Sequence, residues 1–150
     1  MADKPWDGRF SENTDKSVET FTSSIQVDKR LYAHDIDGSV AHSQMLAKQS
    51  IITEDDAASL IQGLGKIKRD IMRGNFKYED SLEDIHMHIE SALIQETGKA
   101  AQKLHTARSR NDQVLVDVKL FLRNEIESLI NTIVPFFQLL QHQSETFKNH

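Results

Sequence analysis

Two arginines and several small polar side chains are concentrated in the segment Lys103–Asp112, which reads KLHTARSRND. Arg108 and Arg110 alternate with a serine and an asparagine just before a long stretch of helical periodicity begins. Guanidinium groups, side-chain donors and the N–H groups of a helix N-terminus can converge on one carboxylate or phosphate. The segment therefore favours a site for a small anion, although a solvated basic loop capped by Asn111 or Asp112 would have the same composition.

A second concentration of reactive side chains lies between Glu79 and Glu90, where acidic residues surround His86 and His88. The two histidines are two positions apart, about 200° around a helix, so they cannot bind one metal ion together. His86 could share a helix face with Glu83 or Glu90 and form half of a carboxylate–histidine site, but the sequence shows no second half. Acidic residues also favour helix N-termini because of the helix dipole. We therefore expect no metal and no cofactor.

Helices must position these groups, because apolar residues repeat at helical spacing along most of the chain. Thr53–Asp56 and Ser81–Asp84 both have the form of a capping box, and Gly74 and Gly98 stand where helices commonly end. A last helix of thirty-odd residues would be about 50 Å long. The periodicity predicts four helices, over residues 28–49, 53–74, 81–98 and from Asn111 or Asp112 almost to the C-terminus.

The last predicted helix has an unusual apolar segment. Pro135 can kink it, because its ring clashes with the carbonyl group four residues earlier. Leu129–Leu140 is apolar around most of its circumference, which requires neighbours on several sides, either in a bundle or in another subunit. We therefore expect self-association through this segment.

The two remaining segments lack periodicity. Residues 1–27 are predicted to form an extended arm that Trp6, Phe10 and Phe21 anchor to the body, and Lys99–Asn111 is predicted to be a loop. The fold class is therefore all-α, a helical domain with an extended N-terminal arm.

The composition excludes several classes of protein. The absence of cysteine excludes disulfides and thiolate sites, and a net charge of −5 argues against a large nucleic-acid interface. The sequence shows no secretory signal pattern and no apolar run long enough for a membrane span. We expect a cytoplasmic protein without nucleic-acid or membrane partners.

The segment Lys103–Val114 closely resembles a signature of the argininosuccinate lyase and delta-crystallin family, within the fumarase/aspartase superfamily. Further blocks resemble this family in the same order, namely Trp6–Phe10 (WDGRF), Phe21–Ile25 (FTSSI), Asp35–His42 (DIDGSVAH) and Glu83–Met87 (EDIHM). The resemblance implies a lyase of arginine biosynthesis that reversibly eliminates arginine from argininosuccinate to leave fumarate. It also implies a homotetramer whose central helical bundle would contain the last helix.

The resemblance also implies roles for individual residues. The residues expected to bind substrate are Ser24, Asp84, His86, Arg110 and Asn111, with Thr106 and Arg108 as second-tier candidates that order the loop. Two positions depart from the family pattern, because Asp7 and Ala107 stand where the family has glycine. If residue 107 requires a positive φ, the alanine would cost about 1 kcal/mol or somewhat more in strain.

No catalytic residue is assigned to the chain, because the family's Thr-His pair and its Gly-Ser-Ser loop have no counterpart in the sequence. The resemblance implies an N-terminal helical lyase domain with the substrate-binding loop over residues 1–110 and the start of the central bundle domain over 111–150. The chain is thus expected to be the N-terminal part of a longer enzyme and to be inactive alone. The alternatives are a non-catalytic helical fragment for oligomerisation or binding, and a related lyase acting on adenylosuccinate, fumarate or aspartate.

Overall fold

Helices make up nearly all of the regular structure in the computed structural model, which describes residues 15–79 and 81–148. No β-strand occurs among these residues, so the predicted all-α fold class is confirmed. The α-helices of the described residues are α1 (Lys16–Thr22), α2 (Ile25–Asp28), α3 (Tyr32–Lys48), α4 (Glu54–Met72), α5 (Ile85–Thr97) and α6 (Arg110–Thr146). Short 3₁₀ helices also precede α3, at Lys29–Leu31, and follow α5, at Gly98–Lys103.

The prediction of an extended arm is wrong for residues 15–27, because these residues form α1 and most of α2. Asp15 caps α1 by accepting a hydrogen bond from the Ser17 N–H group at 2.8 Å. The helix buries none of its residues, which explains why the sequence shows no apolar stripe there. Phe21 is 89% exposed and anchors nothing. The other two proposed anchors, Trp6 and Phe10, lie outside the described residues.

The core lies between α3, α4 and α5, and the first turns of α6 pack against α3. The capping box predicted at Thr53 is confirmed, since its hydroxyl accepts from the Asp56 N–H group at 3.1 Å and its own N–H group donates to the Asp56 carboxylate. Helices α4 and α5 approach each other closely at Gly63. An added Cβ there would lie 2.7 Å from Cγ2 of Thr97 and 2.8 Å from Cδ1 of Leu93.

Helix α5 begins later than the sequence pattern predicts. Asp84, and not Ser81, is its N-cap residue, and the Asp84 carboxylate accepts a hydrogen bond from the Met87 N–H group at 2.7 Å. Leu82 is buried in the turn that precedes the helix, and the helix begins at Ile85. The predicted end is confirmed, as Gly98 follows the helix with a φ of +58°.

The segment predicted as a loop before α6 is partly helical. Gly98–Lys103 forms a 3₁₀ helix, and Ala101 and Leu104 are buried, so two apolar residues hold the segment to the core. Ser109 is the N-cap of α6 and forms a capping box with Asp112, which corrects the expectation that Asn111 or Asp112 would cap the helix.

Helix α6 contains 37 residues and is therefore about 55 Å long. It continues through Pro135 to Thr146. Gln113 and Asp117 in its first turns are buried, whereas the large apolar residues from Ile126 onward are exposed. Among the described residues, no helix is both long enough and apolar enough to cross a membrane.

Candidate functional site

The guanidinium group of Arg110 lies at the N-terminus of α6 and faces α5. Its Nη1 donates a hydrogen bond to Oε1 of Gln113 at 2.9 Å. Its Nη2 lies 3.4 Å from Oε2 of Glu90, and its Nε lies 3.8 Å from Oδ2 of Asp84. The arginine is thus held by one short contact to a neutral amide and two longer contacts to carboxylates.

Ser24 is connected to the same end of α5. Its N–H group donates to the carbonyl oxygen of Glu83 at 2.9 Å, and its hydroxyl donates to Oδ2 of Asp28 at 2.5 Å. The other oxygen of Asp28 accepts from the N–H group of Ile85 at 3.1 Å. These contacts hold the exposed Ser24 beside the residues that begin α5, including Asp84.

Asn111 is exposed and follows Arg110 directly. Its N–H group donates to the hydroxyl of Ser109 at 3.2 Å, and the same hydroxyl accepts a hydrogen bond from the N–H group of Asp112. The cap thus uses the N–H groups of Asn111 and Asp112, which belong to the helix N-terminus that the sequence interpretation assigned to an anion.

The two arginines of the basic segment contact different helices. Arg108 donates from Nη1 to the hydroxyl of Ser39 on α3 at 3.1 Å, whereas Arg110 faces α5. A cleft of about 420 Å³ between α3 and α6 is lined by Arg108 and includes His42 and Asp117. The guanidinium groups therefore do not converge on one ligand in the way the composition suggests.

The turn before α6 is held to α3 by its backbone. The carbonyl oxygen of Thr106 accepts a hydrogen bond from Nε2 of His42 at 2.9 Å. Ala107 has a φ of +56°, so the strain expected from the replaced glycine is present. Thr106 and Arg108 both contact α3, which agrees with a role in ordering this turn.

His86 is 2% exposed and lies in a buried polar cluster, apart from the exposed Ser24 and Asn111. Its Nδ1 lies 3.0 Å from Oδ1 of Asp35 and 3.4 Å from Oδ2 of Asp117. Burial by itself would lower the pKa of His86, but the hydrogen bond to Asp35 and the charge of Asp35 raise it above its ordinary value.

The pKa values of the two acids in the cluster are shifted in opposite directions. Burial would raise the pKa of Asp35, but hydrogen bonds from His86 and Gln113 outweigh it and lower that pKa. Burial, followed by the charge of Asp35, raises the pKa of Asp117 to about 7. Neither carboxylate oxygen of Asp117 accepts a hydrogen bond from the described residues, which favours the protonated form.

Asp35, His86 and Asp117 each offer a potential metal ligand, and these atoms lie within 4.8 Å of one another. Asp35 accepts hydrogen bonds from His86 and Gln113 within this group, whereas neither carboxylate oxygen of Asp117 has a hydrogen-bond partner among the described residues. The cluster therefore combines one ionised acid, one acid that readily holds a proton, and a histidine.

Sequence reasoning missed Asp35, Gln113 and Asp117. The only available signal is weak: Asp35, Ser39 and Ser43 repeat every four residues beside the apolar stripe of α3, and all three are buried. A solvated helix face has the same spacing, so the partner helix is needed to recognise the cluster.

A sequence profile of the family described as "Lyase" matches residues 8–149. The argininosuccinate lyase of Desulfatibacillum aliphaticivorans is 61% identical over 127 residues, which cover 85% of this chain and 27% of that protein. The argininosuccinate lyase of Syntrophotalea carbinolica is 49% identical over 145 residues, covering 97% of this chain and 32% of that protein. That of Saccharophagus degradans is 46% identical and covers 98% of this chain and 35% of that protein. The chain thus spans about a third or less of the length of these relatives.

Proposed function

The chain belongs to the lyase family that contains the argininosuccinate lyases, and from this membership we propose that it forms the substrate-binding part of an argininosuccinate lyase. The reaction is the reversible elimination of arginine from argininosuccinate to leave fumarate, as a cytoplasmic step of arginine biosynthesis. The proposed reaction requires no cofactor.

The chemistry of the reaction demands fixed positive charge. A base removes a proton next to a carboxylate, which builds negative charge on that carboxylate while the guanidino nitrogen leaves. Donors that are already oriented stabilise this charge without reorganising. Arg110 meets that demand, because three groups on α5 and α6 hold its guanidinium group.

The observation that carries the proposal is the convergence of Ser24, Asp84 and Arg110 on the N-terminus of α5. Arg110 and the exposed amide of Asn111 would bind the substrate carboxylates, and Ser24 would donate a further hydrogen bond. Asp84 lies beside them and holds Arg110. The buried His86 would support the site through Asp35, while Thr106 and Arg108 would order the turn.

The general base and acid are proposed to lie outside this chain. The family pattern of a Thr-His pair and a Gly-Ser-Ser loop is not found in the sequence. In the proposed enzyme, other segments and subunits of a homotetramer would complete each site. The exposed apolar surface of α6 supports such an assembly, with residues 1–110 as the N-terminal domain and 111–150 as the start of the central bundle.

The proposal is tested with a chimera in which this chain replaces the matching segment of the Desulfatibacillum aliphaticivorans relative. We expect the purified chimera to release fumarate from argininosuccinate, and the isolated 150-residue chain to release none above background. Formation of fumarate is followed by its ultraviolet absorbance.

Adenylosuccinate and aspartate are compared in the same assay, and fumarate is tested as a substrate by the loss of its absorbance. A preference for one of them would replace the proposed substrate. A folded, tetrameric chimera that acts on none would favour the non-catalytic alternative, and turnover by the isolated chain would contradict the assignment of the base and acid to other segments.

A further inference from the structure

Gln113 joins Arg110 to the buried polar cluster. It lies three residues after Arg110 on α6 and is 6% exposed. Its Oε1 accepts from Nη1 of Arg110 at 2.9 Å, and its Nε2 donates to Oδ1 of Asp35. We infer that Gln113 is a positioning residue that fixes the Arg110 guanidinium for a substrate carboxylate without neutralising its charge. The inference rests on the proposed function, in which Arg110 holds the substrate.

The orientation of the Gln113 amide is dictated by its two partners. An ionised carboxylate only accepts hydrogen bonds, so the amide nitrogen must face Asp35. A guanidinium group only donates, so the amide oxygen must face Arg110. A flipped amide would lose both hydrogen bonds at once. Asp35 therefore fixes the amide, and the amide in turn fixes the arginine.

The neutral charge of Gln113 matters for the binding of an anion. The other two partners of Arg110 are Glu90 and Asp84, at 3.4 and 3.8 Å, and both are acidic. A third carboxylate at short range would compete with the substrate for the same cation. The amide instead supplies the shortest contact and adds no charge, so the guanidinium remains attractive to a carboxylate.

Two substitutions in the chimera separate the effect of the Gln113 hydrogen bonds from the effect of charge at position 113. Gln113→Leu removes both hydrogen bonds, and we expect the KM for argininosuccinate to rise about tenfold while kcat changes by less than about threefold. Gln113→Glu keeps the size and the acceptor for Arg110, but it loses the donor to Asp35 and adds a negative charge, so KM should rise further. The matched control is Gln102→Leu, at an exposed position on the 3₁₀ helix that follows α5, which should leave both constants unchanged.

A double-mutant cycle distinguishes positioning from a merely structural role. If Gln113 acts through Arg110, Gln113→Leu will have no further effect on KM once Arg110→Met is present. Additive effects of the two substitutions, or an unchanged KM in Gln113→Leu, would overturn the inference.

A second measurement needs no activity. Hydrogen bonding slows rotation of a guanidinium group, so the Nη groups of Arg110 should give separate nitrogen NMR signals in the unmodified chain and an averaged signal in Gln113→Leu. Separate signals in both proteins would also overturn the inference. If the chimera is inactive but the signals average as expected, the proposed function fails while the positioning of Arg110 by Gln113 stands.

Discussion

Asp117 holds its proton to a higher pH in the folded protein than in the unfolded chain, because its carboxyl group is 1% exposed and lies near the charge of Asp35. Its pKa is about 7 in the folded protein and near 3.8 in the unfolded chain. Between these two values the folded state binds the extra proton, so the free energy of unfolding falls as pH rises. The raised pKa of His86 acts in the same direction, whereas the lowered pKa of Asp35 contributes stability that is lost only as pH falls into the acid range.

We predict that Asp117→Asn gains stability relative to the unmodified chain as pH rises, because asparagine needs no proton to remain neutral. The difference should grow by up to about 1.4 kcal/mol per pH unit between the two pKa values. Urea unfolding at about pH 5 and about pH 7.5 measures it. Asp55→Asn, at an exposed position on α4, controls for the removal of a charge. An equal difference at both pH values would contradict the prediction.

The strain at Ala107 can be predicted from the sequence, whereas the role of Gln113 cannot. The strain at Ala107 could be anticipated, because a glycine is expected there and a positive φ is a local property. The role of Gln113 could not, because it depends on Asp35, which lies on another helix and far away in the sequence. The spacing of buried polar residues along one helix does not reveal which residue on another helix they contact.

Among the helices, α4 is the one whose limits the sequence predicts best. Its capping box and its apolar stripe are both local, and local interactions are sufficient to define it. The predicted start of α5 is wrong because the sequence offers two capping residues, Ser81 and Asp84, and the local pattern does not show which of them caps the helix. Helix α1 was missed because it has no buried face to produce a pattern.

The contact between α4 and α5 predicts opposite effects for two neighbouring glycines. Gly63→Ala should destabilise the fold by about 1 to 2 kcal/mol, because its Cβ would overlap Thr97 and Leu93. Gly65→Ala should stabilise it by about 0.5 to 1 kcal/mol, because an added Cβ meets only the end of the Arg69 side chain, at 3.5 Å, and alanine favours a helix. The midpoints of urea unfolding compare the two. Equal midpoints would refute the close approach of these helices.

At the scale of the whole molecule, the C-terminal half of α6 is the feature that favours association with a partner. Its large apolar residues are about half exposed, among them Ile133 at 52% and Phe137 at 59%. Contiguous apolar surface of this kind is uncommon on soluble monomers. Both the sequence pattern and the exposure therefore favour association between copies of the chain.

We predict that the chain self-associates through this surface and that Ile133→Lys combined with Phe137→Lys shifts it towards monomers. Two buried lysines per chain would be too costly to desolvate in the interface. Sedimentation equilibrium at tens of micromolar measures the change, with Gln141→Lys as the control at an exposed polar position. A monodisperse monomer of the unmodified chain would contradict the prediction.

Because α6 is one continuous helix, a movement of its C-terminal half can be transmitted to its N-terminus. Arg110 is its first residue, and the exposed apolar surface occupies its far half. If the helix moves as a rigid rod, a tilt of about 1.5° imposed about 40 Å away moves Arg110 by about 1 Å, a displacement that can impair catalysis in enzymes. We therefore predict that substitutions in the exposed apolar surface of α6 change the orientation of the Arg110 guanidinium group, although they lie far from it.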